Sequence, residues 1–163
     1  MRELIRCSQD VDLAKIVEEK SPLRLCALGA SAANSFTPYL KHQPKAELVH
    51  IADGDWLAAM AAGQRYDFVY LAEVLEHMSK AQAGQLLTKL RDCCQFLYAS
   101  VPIGKAWLNH VSLWEQKDLR GLGFDLVNLS AERGRPMGLF CYDSSAFRSE
   151  SEWRNSKYWA QPD

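Results

Sequence analysis

The 163-residue chain is 48% hydrophobic and 24% charged, with a formal net charge of −1. That length suits one domain with a core of its own, and without a basic excess there is no electrostatic hold on the phosphates that dominate nucleic-acid affinity. No apolar run approaches the roughly 18 residues that cross a bilayer, and the charged start MRELIRCSQDVDLAKIVEEK lacks the uncharged centre of a secretory signal; the expectation is a cytoplasmic protein that contacts neither nucleic acid nor membrane.

Residues 3–20 have apolar positions at helical spacing, and Ser21-Pro22 ends that helix because proline has no amide hydrogen to continue it. LRLCALG (23–29) reads as a buried strand closed by Gly29. A helix follows over 30–43, with Pro38 early in it or dividing it, then a strand over 46–52 and a short helix over 55–63 closed by Gly63. YDFVYLAE (66–73) is apolar on both faces, as in a parallel sheet covered by helices. Ser79 is a natural N-cap for a helix reaching Cys93, with Ala83, Leu86, Leu87, Leu90 and Cys94 forming its apolar stripe.

QFLYASVP (95–102) is a fourth strand, and 114–122 a further helix. FDLVNLS (124–130) and MGLFCYD (137–143) are strands joined by the polar turn AERGRP. So short a link demands an antiparallel pair, because a parallel crossover needs a dozen or more residues. Alternating strands and helices imply βαβ units. The expected fold is therefore a Rossmann-like, doubly wound, mainly parallel α/β sheet ending in an antiparallel hairpin. The five cysteines, Cys7, Cys26, Cys93, Cys94 and Cys141, form no CxxC pair and read as buried, reduced thiols.

Three stretches resemble the class I S-adenosylmethionine-dependent methyltransferases of the small-molecule type. In residues 66–92, Asp67 opens a strand and Val74-Leu75-Glu76-His77 opens the next helix, as in that family. FLYASVPIG (96–104) resembles the strand ending in a proline beside the substrate pocket, and HVSLWEQKDLRGLGFDLVNL (110–129) the closing helix and Gly-Phe strand. The resemblance implies S-adenosylmethionine as cofactor and a small-molecule substrate. Two departures stand out. The loop after the first strand reads LGASAAN, where the family places several glycines, and β-carbons resist positive φ by roughly 1 kcal/mol or more. Residues 30–65 also leave room for one strand where the family fits two, so one βα unit is shortened or missing.

The resemblance places Gly29, Ser31, Asp53, Glu73 and Glu76 at the cofactor. Asp53 would take the ribose hydroxyls, although Asp53-Gly54-Asp55 equally makes a turn that caps the next helix. Glu73, Glu76 and His77 fall at the carboxyl edge of the sheet, where open α/β sheets bind ligands. His77 and His110 are the catalytic candidates, His77 as a base and His110 as the resembling histidine before the last helix, lining the same pocket or sitting in a loop; helix-end electrostatics for Glu76 and packing for His77 are the plainer readings. Glu73 and His77 alone do not make a metal site, and none is expected. Two functions follow: a methyltransferase-like protein, or a catalytically silent binding or assembly module on the same fold. The domain is assigned to 1–145, and the aromatic tail 146–163 covers one of its faces or joins two copies in a homodimer.

Overall fold

The structure, a computed structural model, describes residues 8–54, 56, 64–104, 109–132 and 135–143. The aromatic tail, Cys7, Asp55 and, apart from Trp56, the expected helix over 55–63 lie outside the described residues.

The chain alternates helices and strands as its apolar runs imply. Helix α1 (Ser8–Lys20) ends where Ser21 takes a left-handed φ of 49° and Pro22 removes the next donor. Strand β1 (Arg24–Leu28) follows, then a 3₁₀ turn (Ala32–Phe36) leading into α2 (Thr37–His42). The single helix expected over 30–43 is thus split, with Pro38 in the first turn of α2, where its missing donor costs nothing. Next come β2 (Glu47–Ile51), β3 (Tyr66–Ala72), a second 3₁₀ turn (Leu75–His77) and α3 (Lys80–Cys93). Ser79 caps α3 as expected: Gln82 N–H donates to Ser79 Oγ at 3.2 Å, and Ser79 N–H donates to Gln82 Oε1 at 3.1 Å. Cys94, expected in the α3 stripe, is instead the first residue of β4 (Cys94–Pro102), so helix passes into strand without a loop. Helix α4 (Gln116–Gly121) leads to β5 (Asp125–Glu132) and β6 (Arg135–Asp143).

The six strands form one sheet in the order β2-β1-β3-β4-β6-β5. The pairs β2–β1, β1–β3 and β3–β4 are parallel, and β6 runs antiparallel to both β4 and β5. This is the Rossmann-like sheet with a terminal hairpin that the sequence implied. The hairpin is tighter than expected: Ala131, Glu132, Arg135 and Pro136 belong to the ladder, not to a six-residue turn. Among the described residues no strand lies between β2 and β3, so β2 is the sheet edge, with most of its residues exposed.

Both faces of the sheet are covered, as a parallel sheet requires. Alternate residues of the central strands divide two cores. Cys26, Leu28, Val69, Leu71, Leu97 and Ala99 pack with Leu86, Leu87 and Leu90 of α3. Leu25, Ala27, Phe68, Tyr70 and Tyr98 pack with Leu13, Val17, Phe36 and Tyr39. Cys26 and Cys94 are buried, Cys93 and Cys141 half-buried, and all four are reduced. No described helix is long and apolar enough to cross a membrane.

The chain leaves β1 toward β2, then crosses back past β1 to form β3. The direction of winding reverses between β1 and β3, and at such a reversal the outgoing loops separate and leave a crevice.

Candidate functional site

The crevice lies between Gly29, which follows β1, and Glu73, which follows β3. Gly29 has φ 111°, and a Cβ there would overlap the Ala72 carbonyl oxygen, so only glycine lets the two loops pass this closely. The Gly29 amide donates to the Ile51 carbonyl at 3.0 Å, and His50 Nε2 donates to the Gly29 carbonyl at 2.8 Å. Ser31 is exposed at the start of the first 3₁₀ turn and makes no side-chain cap there. Asp53 is exposed beyond the end of β2, and Gly54 turns the chain there at φ 102°.

The other lip is built differently. Glu73 extends the β3–β4 ladder by one rung, its amide donating to the Ser100 carbonyl at 3.1 Å, and it takes a left-handed φ of 55°. A non-glycine residue held in that conformation marks a locally strained turn. Val74 and Leu75, both fully buried, pull the following 3₁₀ turn onto the core. That packing carries Glu76 inward: the residue is 1% exposed, and neither carboxylate oxygen has a hydrogen-bond partner. Burial pushes its pKa up to about 8; its own backbone amide and the Arg135 charge offset this only in part, and the Glu73 charge adds to it. Arg135, at the tip of the β5–β6 hairpin, reaches Glu73 Oε1 at 3.7 Å.

The segment after β4 closes over this turn. The amides of Val111 and Ser112 both donate to the Glu76 backbone carbonyl, at 2.7 and 3.1 Å. Ser112 Oγ donates to the Met78 carbonyl at 2.7 Å and accepts the Trp114 indole N–H at 2.8 Å. His110 is thereby set edge-on to His77, with ring centroids 5.4 Å apart and planes at 86°. His77 Nδ1 lies 3.2 Å from the Asn109 carbonyl, which can only accept, so Nδ1 carries the proton. The same arrangement sets Nε2 at 3.8 Å from Glu76 Oε1. Burial, with the His77 and Arg135 charges, lowers the pKa of His110 and favours the neutral ring.

The candidate residues from the sequence therefore form two groups. Glu73, Glu76, His77 and His110 converge on one lip, and one ligand atom each from Glu76, His77 and His110 lie within 4.8 Å of one another. Gly29 and Ser31 form the opposite lip, and Asp53 lies beyond it at the sheet edge. Arg135 and the Asn109 carbonyl were missed. A polar hairpin tip was visible in the sequence, but its arrival beside β3 depends on β6 lying against β4. Asp67, part of the resemblance, sits at the opposite edge of the sheet, where its Oδ2 accepts the amides of Leu23 and Arg24 at 2.9 and 2.8 Å. His50 and His42 both have partners, Gly29 and Glu18 respectively.

A mainly parallel sheet that reverses at β1/β3 and ends in an antiparallel hairpin is the fold of the class I methyltransferases. The chain itself belongs to a family of unknown function (DUF6231), whose model matches residues 7–163. A search of curated proteins found no match. Among solved structures, the chain is similar to magnesium protoporphyrin IX methyltransferase from Synechocystis PCC 6803 with bound S-adenosylmethionine, at 15% identity and a TM-score of 0.56 over 82% of this chain and 78% of that one. A putative O-methyltransferase from Nostoc punctiforme PCC 73102 is 17% identical with a TM-score of 0.59, over 82% of this chain and 55% of that one. Human N-acetylserotonin methyltransferase, in complex with S-adenosylmethionine, is 13% identical with a TM-score of 0.55, over 83% and 51%. At these identities the likeness establishes the fold.

Proposed function

We propose that the protein binds S-adenosylmethionine in the crevice between β1 and β3 and acts as a methyltransferase-like protein on a small molecule. The observation that supports this best is the reversal of winding between β1 and β3, which brings Gly29, at φ 111°, and Glu73 to the carboxyl edge of the sheet, with His77 and His110 edge-on to one another just beyond Glu73. The glycine lets the backbone come close to a ligand, exposed Ser31 follows it, Asp53 would take the ribose hydroxyls, and Glu73 and Glu76 would line the cofactor's amino-acid end. When bound, the sulfonium supplies the methyl group. His110, its ring kept neutral, would accept the proton that a substrate hydroxyl loses on methylation, with His77 beside it.

The alternative, a binding or assembly module without catalysis, is favoured by one observation: β2 is the sheet edge, with exposed Asp53 beyond it, so among the described residues no further strand walls the adenosine side. Calorimetry and thermal melting with S-adenosylmethionine or S-adenosylhomocysteine separate the two. A ligand that binds only the native state at a hundred times its Kd stabilises it by about 2.7 kcal/mol. Heat release and a raised Tm are expected; neither at millimolar ligand would leave the binding-module reading.

A further inference from the structure

Glu76 sets the problem. A carboxyl group 1% exposed with two unpartnered oxygens is a costly arrangement for a fold to keep. A hydrogen-bond donor or a cation relieves it. The nearest groups are His77 Nε2, at 3.8 Å, and the His110 ring. With Nδ1 donating to the Asn109 carbonyl, Nε2 is the His77 atom turned toward the carboxylate. Two imidazoles and a carboxylate that converge in this way make a donor set for a cation.

We propose that Glu76, His77 and His110 form a binding site for a divalent transition-metal ion of the zinc and cobalt class. Three features of the site support this. One ligand atom from each residue already lies within 4.8 Å of the others; ligands on one tetrahedral ion, with bonds of about 2.0–2.2 Å, sit about 3.4 Å apart, so modest rotation of the two imidazoles completes the set. The bond from His77 Nδ1 to a backbone carbonyl is the outer contact that orients a metal-bound imidazole and leaves Nε2 as the ligand. The two amides from Val111 and Ser112 to the Glu76 carbonyl hold the two ligand-bearing segments together before any ion arrives. Two imidazoles suit zinc, cobalt or nickel, whereas magnesium prefers oxygen. Three protein ligands leave a position open for water or a substrate oxygen. On the cofactor reading, a substrate hydroxyl or carboxylate would occupy that position, the ion then taking the place of His110 in activating the hydroxyl; this last use, unlike the site, rests on that reading.

The test uses the full chain, stripped with EDTA, desalted and free of S-adenosylmethionine. Cobalt(II) is titrated by visible absorption and zinc(II) by equilibrium dialysis. One equivalent should bind, with no sulfur-to-cobalt band in the near ultraviolet, and millimolar magnesium should not displace it. His110→Ala and Glu76→Gln should each weaken binding by about tenfold or more, by analogy with the effects of perturbing metal-site residues. His42→Ala, which removes the exposed imidazole beside Glu18, should leave it unchanged. Far-ultraviolet circular dichroism confirms that each variant is folded. The assignment is overturned if neither metal binds, or if a folded His110→Ala or Glu76→Gln variant keeps wild-type affinity. Because no S-adenosylmethionine is present, failure of the cofactor reading and failure of the metal site appear in separate measurements.

Discussion

The two lips of the crevice are built on opposite principles. The β1 lip is closed by packing: Gly29 lies against the Ala72 carbonyl, its own carbonyl takes the His50 proton, and Asp53 is out in solvent. The β3 lip carries strain and one orphaned carboxylate: Glu73 sits at a left-handed φ, and the buried Glu76 oxygens have no hydrogen-bond partner although two imidazoles lie beside them. The first is organised for stability; the second gives stability up. Strain and orphaned polar atoms persist where the surrounding structure enforces them, and they are characteristic of functional positions. The proposed chemistry is accordingly placed on the β3 lip.

Four substitutions test that contrast. Gly29→Ala has the largest expected effect on stability, because the new Cβ meets a backbone carbonyl and the residue must hold φ 111°. Overpacking and backbone strain together predict a loss of about 4 kcal/mol, measured by urea unfolding. A neutral result would remove the claim that packing closes this lip.

Glu76→Gln acts in the other direction. The carboxyl group titrates near 4.5 when unfolded and at about 8 when folded. A raised carboxyl pKa means that the folded state keeps a proton the unfolded state releases. Its contribution to stability is fully present below pH 4.5, falls as pH rises, and is gone above about 8. The full shift converts to roughly 5 kcal/mol, and relaxation of the site reduces this to about 2–3 kcal/mol. In EDTA the wild-type protein should therefore lose stability between pH 5 and 8, while Glu76→Gln shows a flatter profile and is the more stable of the two at pH 8. Parallel profiles would mean that the carboxylate has a partner in solution.

Ser112→Ala removes the acceptor of the Trp114 indole and one link to the Met78 turn. A loss of about 1–2 kcal/mol is expected, together with weaker metal binding, because His110 is held by the same segment. Stability lost without any change in metal affinity would separate that clamp from the site. Asp53→Ala, on the exposed lip, should alter Tm by no more than the equivalent of about 0.5 kcal/mol. If Asp53 holds the ribose, the same variant weakens S-adenosylmethionine binding in calorimetry; unchanged affinity leaves it as part of the turn at Gly54.

Much of the fold was legible from the chain. LRLCALG, YDFVYLAE and QFLYASVP are apolar on both faces because helices cover both faces of the sheet they form. The short link between the last two strands required their antiparallel pairing, and Ser79 marked the start of α3. Boundaries were less accurate where two signals competed. Pro38 suits the first turn of a helix as well as its end, and Cys94 fits a helical stripe as well as a strand. The hairpin turn read as six residues because the stretch is polar and holds Gly and Pro, yet β6 is held along β4 and Ala131, Glu132, Arg135 and Pro136 join the ladder.

The site was legible only in part. Glu73, Glu76 and His77 are adjacent in sequence, and their place after a buried strand put them at the ligand-binding edge. The burial of Glu76 came from Val74 and Leu75, which pack the turn inward whatever follows them. The sequence brought only Glu73 and His77 together as possible ligands, because His110 is far along the chain. Local sequence determined the elements, their caps and the edge at which the polar residues emerge, since each depends on residues a few positions apart. The meeting of His110 with Glu76 and His77, and of Arg135 with Glu73, was decided by the tertiary structure. His110 is brought in by backbone amides bonding a backbone carbonyl, and Arg135 by the backbone ladder of β6 on β4. Almost any residue can make such bonds, so they leave no mark in the sequence.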